Sequence, residues 1–272
     1  MKKLLLACML ISGFNFYAQK SVKLDMKYKE NTVYEQVLTQ TDSVAMTYGG
    51  SKDMLEYLES SGVENPTIQK NISTSNYTIQ IGKKESGKMP MSIKVHLGKD
   101  MTASGLIPEE LVVYGTVEEG KTPTFESIDA PDMEPLLKNT FLSTMQTMQK
   151  QLFIPNREVK VGESFTQNMP LEIPMGAGQH LKMDNDITYK LVKIENGKAY
   201  FDVLYDVEMQ MDSTEGIADG SGSGTGTFVY DIKNNFPVEV TSNITLSMQM
   251  KQDMFTIEVV NNSISRQQVT IK

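Results

Sequence analysis

Two histidines, one cysteine and a scatter of carboxylates are what this 272-residue chain offers to acid–base, nucleophilic or metal chemistry. His96 follows Ile93-Lys94-Val95 at the even phase of an alternating run, which turns it toward solvent beside Lys94. His180 falls in the glycine-bearing stretch Gly176-Ala177-Gly178-Gln179. Neither has a second histidine at helical zinc-ligand spacing. Asp184-Asn185-Asp186 and the group Asp212, Glu215 and Asp219 carry the oxygen ligands that calcium takes. Neither has the EF-hand spacing, so solvated turn acids are expected. Gly220-Ser221-Gly222-Ser223-Gly224 matches neither a nucleophile elbow nor a dinucleotide-binding fingerprint. With no acid–base or nucleophile grouping, the chain is expected not to be an enzyme and to need no cofactor.

Methionine is the unusual residue, at 19 positions, while tryptophan is absent. Met209, Met211, Met248 and Met250 fall on the inward phases of alternating runs. Phe141, Met145 and Met148 fall on one helical stripe. Flexible thioethers line adaptable apolar sites, so these seven residues are the expected lining of a lipid-like or other apolar ligand site. Ordinary core filling is the competing expectation. Asp42-Ser43-Val44 and Asp212-Ser213-Thr214 resemble short O-glycosylation sites used by gram-negative exporters. Glycans there would place Ser43 and Ser213 in surface loops.

The elements that must position these residues are mostly strands. Phe201, Val203, Tyr205, Val207, Met209 and Met211 alternate with largely polar residues, the pattern of a half-buried strand. Glu195-Asn196-Gly197-Lys198 marks a hairpin before it. Five glycines at 216, 220, 222, 224 and 226 predict either a flexible loop or a strand with one face kept small. Phe228, Tyr230 and Ile232 follow, then Val238 and Val240, Ile244 to Met250 at period two, and Phe255, Ile257 and Val259. The N-terminal half is less regular. Residues 24–28, 32–38, 77–81, 93–97 and 111–117 read as strand segments. Residues 51–60 read as a short helix stopped by Gly62.

A single longer helix is expected from about 133 to 151. Leu137, Phe141, Met145, Met148 and Leu152 recur at steps of four or three, Asp132 could cap it, and Pro135 falls in the first turn. The fold expected is mainly β: a large curved antiparallel sheet, or open half-barrel meander, packed on this amphipathic helix. Residues 20–272 are expected to form one β-rich domain, with halves at about 20–130 and 155–272 on either side of the helix.

The N-terminus sets the compartment. Met1-Lys2-Lys3, an apolar run to Phe16 and the exit Tyr17-Ala18-Gln19 have the layout of a secretory signal peptide. Cleavage would remove the one cysteine and leave about 253 residues, long enough for a sizeable core without disulfides. Leu5-Leu6-Ala7-Cys8 also resembles a lipobox, so lipid anchoring at Cys8 is the rival to a soluble product. The formal charge of −8 argues against nucleic-acid binding and against adhesion to anionic lipid. The leader's apolar run, at about 13 residues, falls short of the roughly 20 that span a bilayer, and no second long apolar run follows it.

The stretch Pro155-Asn156-Arg157-Glu158-Val159-Lys160-Val161-Gly162-Glu163-Ser164-Phe165 resembles a motif of secreted, uncharacterised β-rich proteins of gram-negative bacteria. Their wording is Val-Lys-Val-Gly-Asp-Ser-Trp; here Glu163 and Phe165 replace the Asp and Trp. The Gly-rich run before Phe228-Val229-Tyr230-Asp231 and the turn ending in Phe236-Pro237 belong to the same resemblance. It implies export and a β-rich fold and supplies no activity. The general shape also looks like periplasmic lipoprotein carriers, as fold analogy only. The expectation is therefore an exported, non-enzymatic envelope protein, periplasmic or extracellular, binding an apolar molecule between sheet and helix. A structural or protein-interaction module without a cavity is the alternative.

Overall fold

The computed structural model of the chain describes residues 20–98, 108–151, 156–176, 179–213, 216–251 and 255–272. The leader and Cys8 lie outside the described residues. In chain order come β1 (Ser21–Leu24), β2 (Thr32–Gly50), α1 (Lys52–Ser60), β3 (Thr67–Ile81), β4 (Lys88–His96), β5 (Glu110–Glu118) and β6 (Thr124–Asp129). Then follow α2 (Pro135–Gln151), β7 (Arg157–Lys160), β8 (Ser164–Gly176), β9 (Gln179–Glu195), β10 (Lys198–Ser213), β11 (Gly216–Asp231), β12 (Phe236–Lys251) and β13 (Phe255–Ile271). The fold is mainly β, as the alternation predicts. Eleven strands form one antiparallel sheet in the order β6-β5-β4-β3-β2-β13-β12-β11-β10-β9-β8, and β1 pairs with β7 in a small separate ribbon.

Two meanders, β2 to β6 and β8 to β13, are joined where the last strand pairs with the first long one, from Ile271↔Tyr34 to Phe255↔Gly50. The free edges of the sheet are therefore β6 and β8. Helix α2 packs along β6 and also touches β8. One helix can meet both edges only if the sheet curls round, so the fold is an open barrel with α2 in the gap.

Turn chemistry fixes the register. Asn196 and Gly197 have φ of 51° and 72°, the left-handed pair of a two-residue hairpin, and Ser86 and Gly87 repeat it at 51° and 87°. A bulge shifts register beside Tyr200 and Phe201 and leaves Val192 without a Cα partner. The Val-Lys-Val-Gly-Glu-Ser-Phe stretch is the corner joining the ribbon to the sheet edge. Gly162, at φ 90°, donates its N–H to the Leu191 carbonyl (2.7 Å), and Leu191 donates back to Glu163 (3.0 Å). Phe165 is buried beyond the corner, stacked on Tyr189 at 5.0 Å, with the Arg157 guanidinium 4.4 Å from its ring. The motif is thus accounted for by backbone geometry and packing.

Two cores fill the interior. One gathers β2 to β6, including Tyr34, Ile79, Ile93 and Val113, with Leu137, Phe141, Leu142 and Met145 of α2 packed on it. The other gathers Leu191, Phe201, Val203, Phe228 and Tyr230 under Val22, Leu24 and Val159 of the ribbon. Between them a strap at 25–29 closes the floor. Asp25 N–H donates to the Tyr230 hydroxyl (3.0 Å), Lys27 N–H to the Asn235 carbonyl (3.0 Å) and Lys29 N–H to the Tyr34 hydroxyl (2.9 Å).

Four expectations need correction. The strand expected at 24–28 ends at Leu24, because the strap's backbone bonds to side chains and turn carbonyls rather than to a neighbouring strand. The strands expected at 32–38 and 77–81 run far longer, as β2 and β3. Helix α2 starts at Pro135, and its first turn closes from Lys138 N–H to the Glu134 carbonyl (3.0 Å). Asp132 is therefore not the cap; a turn closed by Met133 N–H on the Ala130 carbonyl instead drops Met133 into the core. Ser43 lies within β2, paired with Lys70 and Asn262, and not in a loop. The short helix behaves as expected: Ser51 caps α1 by accepting from Met54 N–H (3.3 Å), and Gly62, at φ 79°, follows its end.

Candidate functional site

The barrel's inner wall is built by strand alternation. On β10, Phe201, Val203 and Val207 are buried while Asp202, Leu204, Asp206 and Glu208 are exposed, so the odd phase faces in. Across the ladder this phase meets glycines: Val203↔Gly226, Tyr205↔Gly224, Val207↔Gly222 and Met209↔Gly220. On the far side of the glycines stand Ser242, Ile244, Leu246 and Met248 of β12. The Gly-rich run is therefore a strand with a bare inner face, flanked by two files of large side chains.

Those side chains lean over the glycines. A Cβ at Gly220 would sit 2.9 Å from Met209 Cε, and one at Gly224 2.7 Å from Ile244 Cγ1. It would also crowd backbone carbonyls of β12 at each of the four glycines. The strand can hug β12 this closely only without side chains on this face.

One row of register collects methionines from across the wall. It runs Leu171↔Met183↔Met209↔Gly220↔Met248↔Val259↔Met46, through seven strands. All four methionines are half-buried, whereas Phe201 and Val203 lower on the same wall are each 1 % exposed. A cavity of about 1070 Å³ opens at this row; Leu171, Met183, Met209 and Gly220 border it together with Thr147 of α2 and with polar residues of the neighbouring phase, among them Glu172, Asp184 and Glu208.

The structure places the expected lining residues in two groups. Met209 borders the cavity, Met248 shares its row, and Met250 stands one row further along, paired with Ala218 and Ile257. Phe141 and Met145 pack instead on the N-terminal core. The side chains of Met148, Met211 and Ser213 lie outside the described residues; the backbone places Met211 and Ser213 within β10, paired with Ala218 and Gly216, so Ser213 ends a strand and is not in a loop. Met183 and Met46 were missed by sequence reasoning. Lys182-Met183-Asp184-Asn185-Asp186-Ile187 does carry the alternation that would have found Met183.

His96 and the acid pair flagged in the sequence are on the outside. His96 Nδ1 lies 3.4 Å from Glu110, whose carboxyl is held below its usual range by hydrogen bonding and charge from Lys94 and, secondarily, His96. Asp184 and Asp186 both accept from the Asn168 amide, at 2.6 and 2.9 Å. Among the described residues no group of three or more His, Cys, Asp or Glu could hold a metal ion. Inside, burial raises the Tyr205 hydroxyl to a pKa of about 12 and drives those of Tyr28 and Tyr189 up as well.

No family model matches the chain, and no curated protein matches it. There is distant structural similarity to bacterial outer-membrane β-barrel proteins. OpdQ of Pseudomonas aeruginosa is 6 % identical with a TM-score of 0.32, over 87 % of this chain and 98 % of that one. An outer membrane channel from Pseudomonas putida F1 is 9 % identical with a TM-score of 0.22, over 90 % and 98 %. Ail, the attachment invasion locus protein of Yersinia pestis, is 6 % identical with a TM-score of 0.18, over 88 % and 99 %. At these scores the likeness carries no argument about function.

Proposed function

We propose that this chain is an exported, non-enzymatic envelope protein whose open barrel binds an apolar or lipid-like molecule on its inner wall. The observation that carries the reading is the half-buried methionine row, of which Met183 and Met209 border the cavity that Thr147 of α2 also lines. A wall that served only as core would bury these side chains as completely as the rows below it. Methionine suits a wall that must adapt to a flexible chain.

Charged outer faces on several strands support an aqueous exterior there, although Ile68, Ile72 and Ile264 are exposed on the outer phase of β3 and β13. A membrane-spanning barrel turns apolar residues to lipid and polar ones inward. Here Asp202, Asp206 and Glu208 face out on β10, and Lys94–Glu110 and Arg266–Glu239 pairs lie on other outer faces. The exit sequence before Lys20 and the resemblance at 155–165 support export.

The test is native mass spectrometry of the purified mature chain, with titration of a fluorescent naphthylamine probe that brightens in apolar sites. A co-purified apolar adduct and saturable probe binding are expected. The paired substitution Met209→Ser and Met248→Ser should weaken the probe by about tenfold or more, given about 1.5–3 kcal/mol for each fully buried apolar side chain. An adduct-free chain that binds no probe would leave a structural or protein-interaction module as the reading.

A further inference from the structure

The inner wall is not apolar throughout. On β2, β3, β12 and β13 the inward phase carries a belt of polar side chains, among them Gln40, Asp42, Ser242, Asn261, Ser265 and Gln267. The belt lies between the aromatic floor at Tyr34 and the methionine row. Asp42 is four residues along β2 from Met46, about 13 Å at strand rise. Much of the belt pairs with itself. Gln267 donates to Gln36 (3.0 Å), the Ser242 and Ser265 hydroxyls share a bond (2.7 Å), and Gln40 donates to one Asp42 oxygen (2.9 Å).

Among the described residues two acceptor atoms in the belt have no donor: Asp42 Oδ1 and Asn261 Oδ1, both shielded from solvent on half-buried side chains. Asp42 pairs with Ser263, and Asn261 is the next inward residue on β13, so the two stand on one diagonal. Asp42 is the one charged residue on the inward phases of these four strands. Among the described residues, a neutral amide, that of Gln40, reaches its carboxylate and no cation pairs with it. A shielded carboxylate oxygen without a donor costs free energy, and an unpaired buried acceptor calls for an explanation in what the site binds.

We infer that this belt is a head-group subsite for an amphiphile bearing a protonated amine, its ammonium pairing with Asp42 and donating to Asn261. The apolar chain then lies along the wall toward Met46 and Met248. This assignment rests on the apolar-ligand reading and adds the charge of the head group to it.

The experiment compares decylamine, decanol and decanoate in titration calorimetry on the mature chain, wild type and two variants. In the wild type the amine binds about tenfold or more tighter than the alcohol, as a charge-assisted bond implies, and the carboxylate binds weakest. Asp42→Asn removes the amine's advantage while alcohol binding persists. Asn261→Asp, which adds a second carboxylate beside the first, increases that advantage. Equal binding of all three heads, or an amine preference that survives Asp42→Asn in a variant with wild-type circular dichroism, overturns the subsite and leaves the apolar reading standing. Failure of all three chains to bind overturns both.

Discussion

At the residue scale, the glycines of β11 show how an absent side chain shapes a wall. A Cβ at Gly224 would meet the Asn243 carbonyl and lie 2.8 Å from Ile244 Cα, both backbone atoms that cannot swing aside. Gly224→Ala is therefore expected to destabilise by roughly 1–3 kcal/mol, as overpacking does. This outweighs the smaller gain of about 0.4–1 kcal/mol from stiffening the unfolded chain. Thr225→Ala, one residue on and exposed on the outer face, should stay within about 0.5 kcal/mol of wild type. Urea unfolding of the two variants separates them; equal midpoints would mean the β11 backbone relaxes freely. Sequence showed the glycines and their spacing. It could not show which neighbours lean over them, because those come from strands on both sides.

At the element scale, α2 supplies something other than an apolar stripe. The Gln146 side chain accepts from the Phe125 N–H (2.9 Å) and donates to the Pro123 carbonyl (2.9 Å). One carboxamide thereby satisfies the free edge at β6 as a neighbouring strand would, and blunts a site of edge-to-edge association. Gln146→Ala should cost about 1–3 kcal/mol, since both backbone groups are left unpaired in a partly buried place. Hydrogen exchange at Phe125 should accelerate more than at Val113, which is paired on both sides. Equal protection in the variant would show that the helix holds the edge by packing alone. The helix itself was legible from its period; its hold on β6 was not, because Gln146 reads as an ordinary polar residue on the far side of the stripe.

At the scale of the whole molecule, the buried tyrosines tie stability to alkaline pH. Burial raises the hydroxyl pKa of Tyr28, Tyr34, Tyr189, Tyr205 and Tyr230. In the unfolded chain these groups ionise near pH 10, while the folded chain keeps them protonated. The unfolded state then binds fewer protons, so stability present below about pH 10 is lost as pH rises toward the folded values, near 12 for Tyr205. Melting temperature should fall steeply from pH 10 to 12, with tyrosinate absorbance lagging until unfolding. Tyr205→Phe should flatten the fall; an unchanged slope would place the effect on other groups.

What the sequence alone determined is the local pattern. Period-two alternation defined most strands of the C-terminal half, Asn196-Gly197 defined a hairpin, and period 3.6 defined α2. These signals are short-range, because a side chain's face depends on its position within its own element. The upper halves of β2 and β3 escaped notice for the same reason. Their inward residues include Gln40, Asp42, Asn71 and Ser73, so alternation of apolar with polar residues disappears where the lumen itself is polar. Tertiary structure alone decided that β13 pairs with β2, that the sheet closes on one helix, and that Met46, Met183, Met209 and Met248 share a row. Register between strands far apart in the chain is fixed by the sum of many pairings, and no single segment of sequence carries that sum.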